Sequence, residues 1–184
     1  MATVDQLVSG IEGAARDSLA ELLREAGSVF PPTVHMLAED RAPPHIGFVT
    51  CRPFYRGADA AAAIAELGVL PAALHATRLV VTWEAQDLNA ALAAPADPDT
   101  TALAALDATP TGHAISWHPF RLHPGRGREV LAPQWGRSVR LPQAPLPGPV
   151  EALLHEWRHG VRRDVTDIVR RLETAGHQVR WVAR

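Results

Sequence analysis

The run Arg-Leu-Val-Val-Thr-Trp at residues 78–83 is apolar, without regular alternation between polar and apolar side chains. A strand with one face in water alternates, whereas a strand covered on both faces is a near-continuous apolar run. The run therefore predicts a central strand, and the rest of the chain must supply its neighbouring strands and the layers that cover them.

Further strands are predicted by short apolar segments bounded by turn residues. Residues 33–38 and 45–51 flank six turn-favouring residues, Glu-Asp-Arg-Ala-Pro-Pro, and indicate an antiparallel hairpin. We expect Pro119 to end the regular pairing of the strand before it, because proline has no N–H for the ladder. The remaining predicted strands are 113–117, a short segment at 130–132 and a final strand at 178–183.

The first helix is predicted over about residues 5–25, where apolar residues at helical spacing form one stripe. Thr3 and Gln6 have the spacing of a capping box at its start, and Gly27 is the expected stop. Seven of the nine charged side chains in residues 1–40 are acidic, so this part of the chain is strongly negative.

The remaining segments complete the predicted architecture. A middle helix is predicted over 59–67 and one long C-terminal helix over 150–174. Residues 85–110 are interpreted as two short Ala/Leu helical pieces in a peripheral insertion, and the proline-rich residues 141–149 as an extended connector. Together these elements predict a single α+β domain over residues 1–184. Its sheet has about five strands, mainly antiparallel or mixed, with the N-terminal, middle and long C-terminal helices packed on it.

Composition and charge bound the class of protein. The chain has 184 residues, of which 47% are hydrophobic and 21% charged, as in globular proteins. No stretch approaches the ~20 apolar residues of a membrane-spanning helix, and the start of the chain lacks the regions of a signal peptide. A net charge of −2 argues against binding to nucleic acid or membranes by charge alone. We therefore expect a cytoplasmic protein with no membrane partner.

The sequence His-Glu-Trp-Arg-His at residues 155–159 has the spacing of a zinc-hydrolase helix. Two histidines four apart lie on one helix face and can reach one ion, while the adjacent glutamate can polarise a bound water. In this respect the segment resembles the zincin metalloproteases. The resemblance implies a zinc-dependent metallohydrolase with His155 and His159 as ligands and Glu156 as the catalytic base.

The chain departs from the zincin pattern outside those five residues. The extended zincin signature needs glycine at 162 and histidine at 165, where this chain has Arg162 and Val165. The apolar stripe of the predicted helix lies on the other side, so we expect both histidines to face water. On one straight helix Glu173 lies too far along the axis to complete the site.

Two other groups of candidate ligands have simpler interpretations. Glu84 and Asp87 follow the central strand, where a carboxylate can act as acid, base or ligand, but where it can also cap a helix, which we favour. His113, His118 and His123 recur at intervals of five, and on a regular strand this spacing sends neighbours to opposite faces. We therefore interpret these histidines as ordinary strand-end residues.

An arginine-rich stretch at residues 121–140 is the second alternative site. Arginine forks bind phosphate and tryptophan stacks on bases, so the stretch is suited to nucleic-acid or phosphate binding. The chain has no glycine-rich phosphate loop that would support other phosphate chemistry. The candidate surface residues are Arg121, Arg126, Arg128, Trp135, Arg137 and Arg140.

Because no catalytic group of residues passes these geometric tests, we expect a non-catalytic protein-interaction or accessory domain without a cofactor. It would bind another protein or associate with itself, using its acidic first helix for charge complementarity and tryptophan as an anchor. Of the five tryptophans, Trp135 is expected to be exposed. The other four, Trp83, Trp117, Trp157 and Trp181, are expected in the core.

Overall fold

The computed structural model describes residues 3–24, 29–94, 101–122, 132–161 and 163–182. Its helices are α1 (Val4–Leu22), α2 (Ala58–Glu66), α3 (Val69–Ala73), α4 (Ala85–Ala91), α5 (Gly148–His159) and α6 (Val165–Ala175). Its strands are β1 (Thr33–Leu37), β2 (His45–Thr50), β3 (Arg78–Glu84), β4 (Ala102–Ala108), β5 (His113–Leu122), β6 (Pro133–Trp135), β7 (Val139–Pro142) and β8 (Gln178–Trp181).

The strands form one sheet in the order β6-β5-β4-β3-β1-β2-β8, and β7 also pairs with β5. This arrangement confirms the predicted α+β domain with helices packed on a mainly antiparallel sheet. The sheet has eight strands in the described residues, more than the five predicted. The alternative in which the final strand pairs in parallel is wrong, because β8 runs antiparallel to β2.

Strand β3 lies in the middle of the sheet and is covered on both faces, as its apolar run predicts. Leu79 and Val81 belong to the large core beneath α2, α3, α5 and α6, while Val80 packs with α1 on the opposite face. The sheet thus separates a large apolar core on one face from smaller apolar clusters under α1 on the other.

Strand β4 overturns the prediction that residues 85–110 are a peripheral helical insertion. Helix α4 confirms one helical piece, but Ala102–Ala108 is a strand between β3 and β5, and all seven of its residues are buried. Alanine and leucine favour helices in isolation, but burial between two strands outweighs that intrinsic preference. Residues 102–108 of the predicted insertion therefore lie at the centre of the fold.

The C-terminal helix is also different from the prediction, because it is broken in two. Helix α5 ends at His159, and Gly160 has extended backbone angles, φ −63° and ψ 150°. Helix α6 then starts afresh with Asp164 as its N-cap, whose side chain accepts a bond from the Asp167 N–H. Val161, which follows Trp157 by four positions and would lie on the apolar stripe of one continuous helix, is consequently 75% exposed. The connector predicted at 141–149 begins inside β7, and α5 begins at Gly148.

The first helix and the hairpin follow the sequence closely. Thr3 and Gln6 form the predicted capping box of α1, and β1 pairs antiparallel with β2. The expected stop at Gly27 lies outside the described residues. No helix in the described part of the chain is long and apolar enough to cross a membrane.

The prediction that Pro119 ends regular pairing is wrong. Pro119 pairs with Ala102 of β4 inside the continuous strand β5. The outer partner of β5 changes at this point, from β7 at residues 114–117 to β6 at residues 120–122. The missing N–H is therefore tolerated at the gap between two outer partners. Of the predicted strand at 130–132, residues 130 and 131 lie outside the described residues, and Ala132 is not in a strand.

Gly68 provides a test of the packing between α3 and α5. A Cβ at this position would overlap the Leu153 carbonyl oxygen, whereas a Cβ at Gly10 of α1 would meet nothing within 4 Å. We expect Gly68→Ala to lower the free energy of unfolding by about 1–3 kcal/mol through overpacking. Gly10→Ala, the control, should raise it by about 0.5–1 kcal/mol. Urea unfolding of both variants checks this, and equal changes would contradict the packing described.

Candidate functional site

The His-Glu-Trp-Arg-His segment lies on α5 with its two histidines exposed, as the helical periodicity predicts. The rings of His155 and His159 are 5.0 Å apart, one turn from each other. Trp157 is buried on the opposite side, where its Nε1 donates to the Ala76 carbonyl at 3.0 Å. Arg158 donates to the carbonyls of Thr109 and Gly112, so it anchors the helix to the sheet. The motif therefore docks α5 through its tryptophan and arginine.

The described residues contain no group of three or more His, Cys, Asp or Glu side chains arranged to hold a metal ion. Glu156 is half-buried and lines a groove of about 640 Å³ with His155, Glu66 and Arg171. Glu66 is held by Arg171, whose Nη2 is 2.7 Å from its Oε1. Glu173 was excluded as a third ligand on the assumption of one unbroken helix, and that assumption is wrong. Even on the separate helix α6, Glu173 belongs to no group of ligands among the described residues. The two imidazoles thus have no third ligand among the described residues.

Zinc analysis tests this arrangement. Because two imidazoles alone form an incomplete zinc site, we expect protein purified without chelator to contain zinc well below one ion per chain. Its thermal midpoint should not change with EDTA. His159→Ala should match wild type in both measurements, as should the control His75→Asn at another exposed histidine. Stoichiometric zinc that disappears only in His159→Ala would instead support the metallohydrolase alternative.

The arginine-rich stretch is divided between several contacts. Arg121 and Arg137 are exposed, but the Arg140 guanidinium is 2.7 Å from Asp107 Oδ2. Trp135 is half-buried against Phe120, and the Arg16 guanidinium lies 4.6 Å from its ring centre. One face of the Trp135 ring is therefore already covered by the Arg16 guanidinium. Two residues of the predicted surface, Arg126 and Arg128, lie outside the described residues.

The tryptophans differ from expectation at three of the five positions. Trp83 and Trp157 are buried as predicted, whereas Trp117 and Trp135 are half-buried. Trp181, expected in the core, is 49% exposed on the edge strand β8. It borders a groove of about 750 Å³ together with His45 and Val165. The stronger aromatic anchor on the surface is therefore Trp181, not Trp135.

A network of charges lies beneath α1, where the sequence predicted none. Asp107 on β4 is 5% exposed at its side chain and accepts bonds from Arg78 at 2.7 and 2.9 Å. Arg140 binds the same carboxylate, and Arg78 reaches Asp5 at 3.0 Å. Burial raises the pKa of Asp107, but the bonds from Arg78 and Arg140 outweigh it, so the pKa lies below its ordinary value. Asp107 therefore stays ionised and pairs with two arginines, Arg78 and Arg140.

A second group of polar side chains lies beside that network. His118 on β5 is 6% exposed, and its Nδ1 lies 2.7 Å from the Ser138 hydroxyl. Its Nε2 lies 3.5 Å from Glu12 Oε2 and forms no hydrogen bond in the described residues. Burial raises the pKa of Glu12, while His118, Ser116 and Arg140 lower it, with a net decrease. Glu12 is consequently a carboxylate facing a buried imidazole.

The other candidate ligands have structural partners. Glu84 caps α4, because its carboxylate accepts bonds from the N–H groups of Gln86 and Asp87, at 3.0 and 2.5 Å. His113 Nε2 bonds the Ala144 carbonyl at 2.9 Å, away from His118, and His123 lies outside the described residues. The capping interpretation is confirmed, and the two described histidines do not converge.

Comparison of the chain with protein-family models, with curated proteins and with solved structures returned no match. Sequence reasoning missed Glu12, although it follows Val8 by four positions and precedes Ala15 by three, so helical periodicity places it on the buried side. It missed Asp107 because that residue was assigned to the insertion.

Asp107 gives a stability prediction. Asp107→Asn removes the buried carboxylate that pairs with Arg78 and Arg140, and breaking such a buried pair costs about 3 kcal/mol. Because the folded pKa of Asp107 is lowered, its contribution is present above the unfolded pKa of about 4 and is lost as pH falls through the folded value. Urea unfolding from pH 7 to 3 should therefore show a flatter acid dependence in Asp107→Asn. The exposed control Asp17→Asn should leave stability at pH 7 within about 0.5 kcal/mol of wild type.

Proposed function

We propose that this chain is an accessory protein-interaction domain that binds an extended segment of a partner protein along the outer edge of β7. The observation that carries the proposal is the exposure of this strand. All four residues of β7 are exposed, including Val139 at 49% and Leu141 at 41%. Exposed apolar side chains on an open sheet edge are the features that strand addition uses.

The side chains of β7 alternate in character. Val139 pairs with the half-buried Trp117 and Leu141 pairs with Ile115, so these apolar side chains continue one face of the sheet. Arg140 lies between them on the opposite face, where it binds Asp107. In the described part of the chain β7 pairs with β5 alone. An added strand would therefore find apolar contacts on one face and positive charge on the other.

The charge around β7 selects the chemistry of the partner. The Arg140 side chain is 54% exposed despite its bond to Asp107, and exposed Arg137 precedes the strand. A segment that alternates apolar and acidic residues would match both faces. Pro142 has no N–H and limits the pairing to three residues, so the complex is expected to be weak and transient.

A second copy of the chain fits this edge less well. An antiparallel pair of β7 strands centred on Arg140 about a two-fold axis would place two arginines opposite each other, and like charges there are unfavourable. Nucleic-acid binding through residues 121–140 stays a prediction. It is less favourable than the proposal above, because Arg140 and the ring of Trp135 already contact other residues of the chain.

The test uses a blocked eight-residue peptide that alternates valine and glutamate, with a control peptide of the same composition in two blocks. We expect the alternating peptide to perturb the backbone amide signals of β7 in NMR titrations and to bind more weakly as salt rises. Val139→Asp plus Leu141→Asp should weaken binding about tenfold or more, equivalent to about 1.4 kcal/mol.

Val161→Asp is the matched control, because Val161 is exposed but lies between α5 and α6. It should bind as wild type does. Equal binding of the two peptides, or perturbation centred on β8, would refute the β7 edge as the site. A concentration-dependent mass in sedimentation that Val139→Asp abolishes would replace the peptide partner with a second copy.

A further inference from the structure

Three side chains from separate parts of the chain form a polar relay that the proposed interaction does not use. Ser138 precedes β7, His118 lies on β5 and Glu12 lies on α1. Ser138 is exposed, whereas His118 is buried, so the relay runs from the surface to the carboxylate beneath α1. We propose that Ser138 is a nucleophile, activated by His118, that accepts the acyl group of small carboxylic esters.

The imidazole is oriented by what lies on each side of it. Glu12 is a carboxylate 3.5 Å from Nε2, and this nitrogen has no hydrogen-bond partner in the described residues. A proton on Nε2 faces the negative charge, which leaves the lone pair of Nδ1 to accept the Ser138 hydroxyl at 2.7 Å. A nucleophile, a base within hydrogen-bond reach and a third group that orients the base are the parts of an activated serine. Such bases often sit loosely before substrate binds.

Glu12 is itself held in place. Ser116 bonds its carboxylate, and the nearby charge of Arg140 favours the ionised form. Glu12 therefore acts as a positioning residue, since it touches the imidazole and not the substrate. Its charge also stabilises the imidazolium that forms when Ser138 loses its proton.

The reaction is a balanced ester hydrolysis. The Ser138 oxygen forms a bond to the ester carbonyl carbon while its proton passes to His118 Nδ1. The bond to the leaving alcohol then breaks, and the alcohol oxygen takes that proton. Water next attacks the acyl-serine with His118 again accepting and returning a proton, which yields a carboxylic acid and restores the serine. Because Ser138 is exposed, the acyl donor reaches it directly from solvent.

The experiment measures covalent labelling by a fluorophosphonate, which reports activated serines, and the release of 4-nitrophenolate from 4-nitrophenyl acetate. Intact-mass spectrometry should show one adduct on wild type and none on Ser138→Ala, a truncation at an exposed position. The control Ser9→Ala, an exposed serine of α1, should label as wild type does. Exposed histidines hydrolyse this ester slowly in every variant, so Ser138→Ala sets the background rate.

His118→Gln should slow labelling by about 100-fold, the range of a lost general base. Glu12→Gln should slow it about tenfold, and Glu12→Asp should restore part of the rate because it keeps the charge. A purely structural hydrogen bond would instead give equal labelling of wild type and Ser138→Ala, which overturns the proposal. It is also overturned if Glu12→Gln and Glu12→Asp label at the wild-type rate.

Discussion

Strands β3 and β4 must be hidden from water on both faces, and the rest of the structure follows from that requirement. Leu79 and Val81 face four helices, while Val80 and Leu103 face α1. A strand in this position offers no solvent face on which polar side chains can lie, so the usual alternation is absent. The chain meets the requirement with helices drawn from both of its ends, which ties the N-terminal and C-terminal segments to the same two strands.

The two covering layers are chemically unequal. Helices α2, α3, α5 and α6 enclose a continuous apolar core, whereas α1 covers small apolar clusters with charged groups between them. Asp107 and His118 lie under α1, each bonded to groups from the outer strand region. Buried charges of this kind contribute little net stability, because their desolvation offsets their attraction. They do specify how α1 and β7 sit on the sheet, since each partner is left unpaired if either element shifts.

Local signals in the chain predicted the elements whose stability is local. The capping box at Thr3, the hairpin of β1 and β2, and the apolar run of β3 each carry their own pattern. Strand β4 was not predicted from local signals, because an Ala/Leu run favours a helix in isolation. It forms a strand here because β3 and β5 bury it. The break at Gly160 was missed because the apolar spacing continues across it, although the glycine and the capping Asp164 are both visible in the sequence.

The candidate sites also differ in how far the sequence alone predicts them. The exposure of His155 and His159 follows from the spacing on one helix, which a sequence reveals directly. The approach of Glu12, His118 and Ser138 depends on which strands neighbour each other and on the register of β5 against β7, where Ser116 pairs with Arg140. No local pattern encodes that register, so these three residues could be brought together only by the folded structure.

The break between α5 and α6 also separates the C-terminal region into two parts that contact different regions of the fold. Helix α5 is bound to the sheet through Trp157 and Arg158, whereas α6 leads into β8 at the outer edge. The α6–β8 pair is joined to the core by Ile168, Leu172 and the bond from the Arg52 N–H to His177. Because β8 pairs with β2 at the end of the strand order, a local opening of the α6–β8 pair would bare the edge of β2 and leave the pairings of β3 with β1 and β4 unchanged.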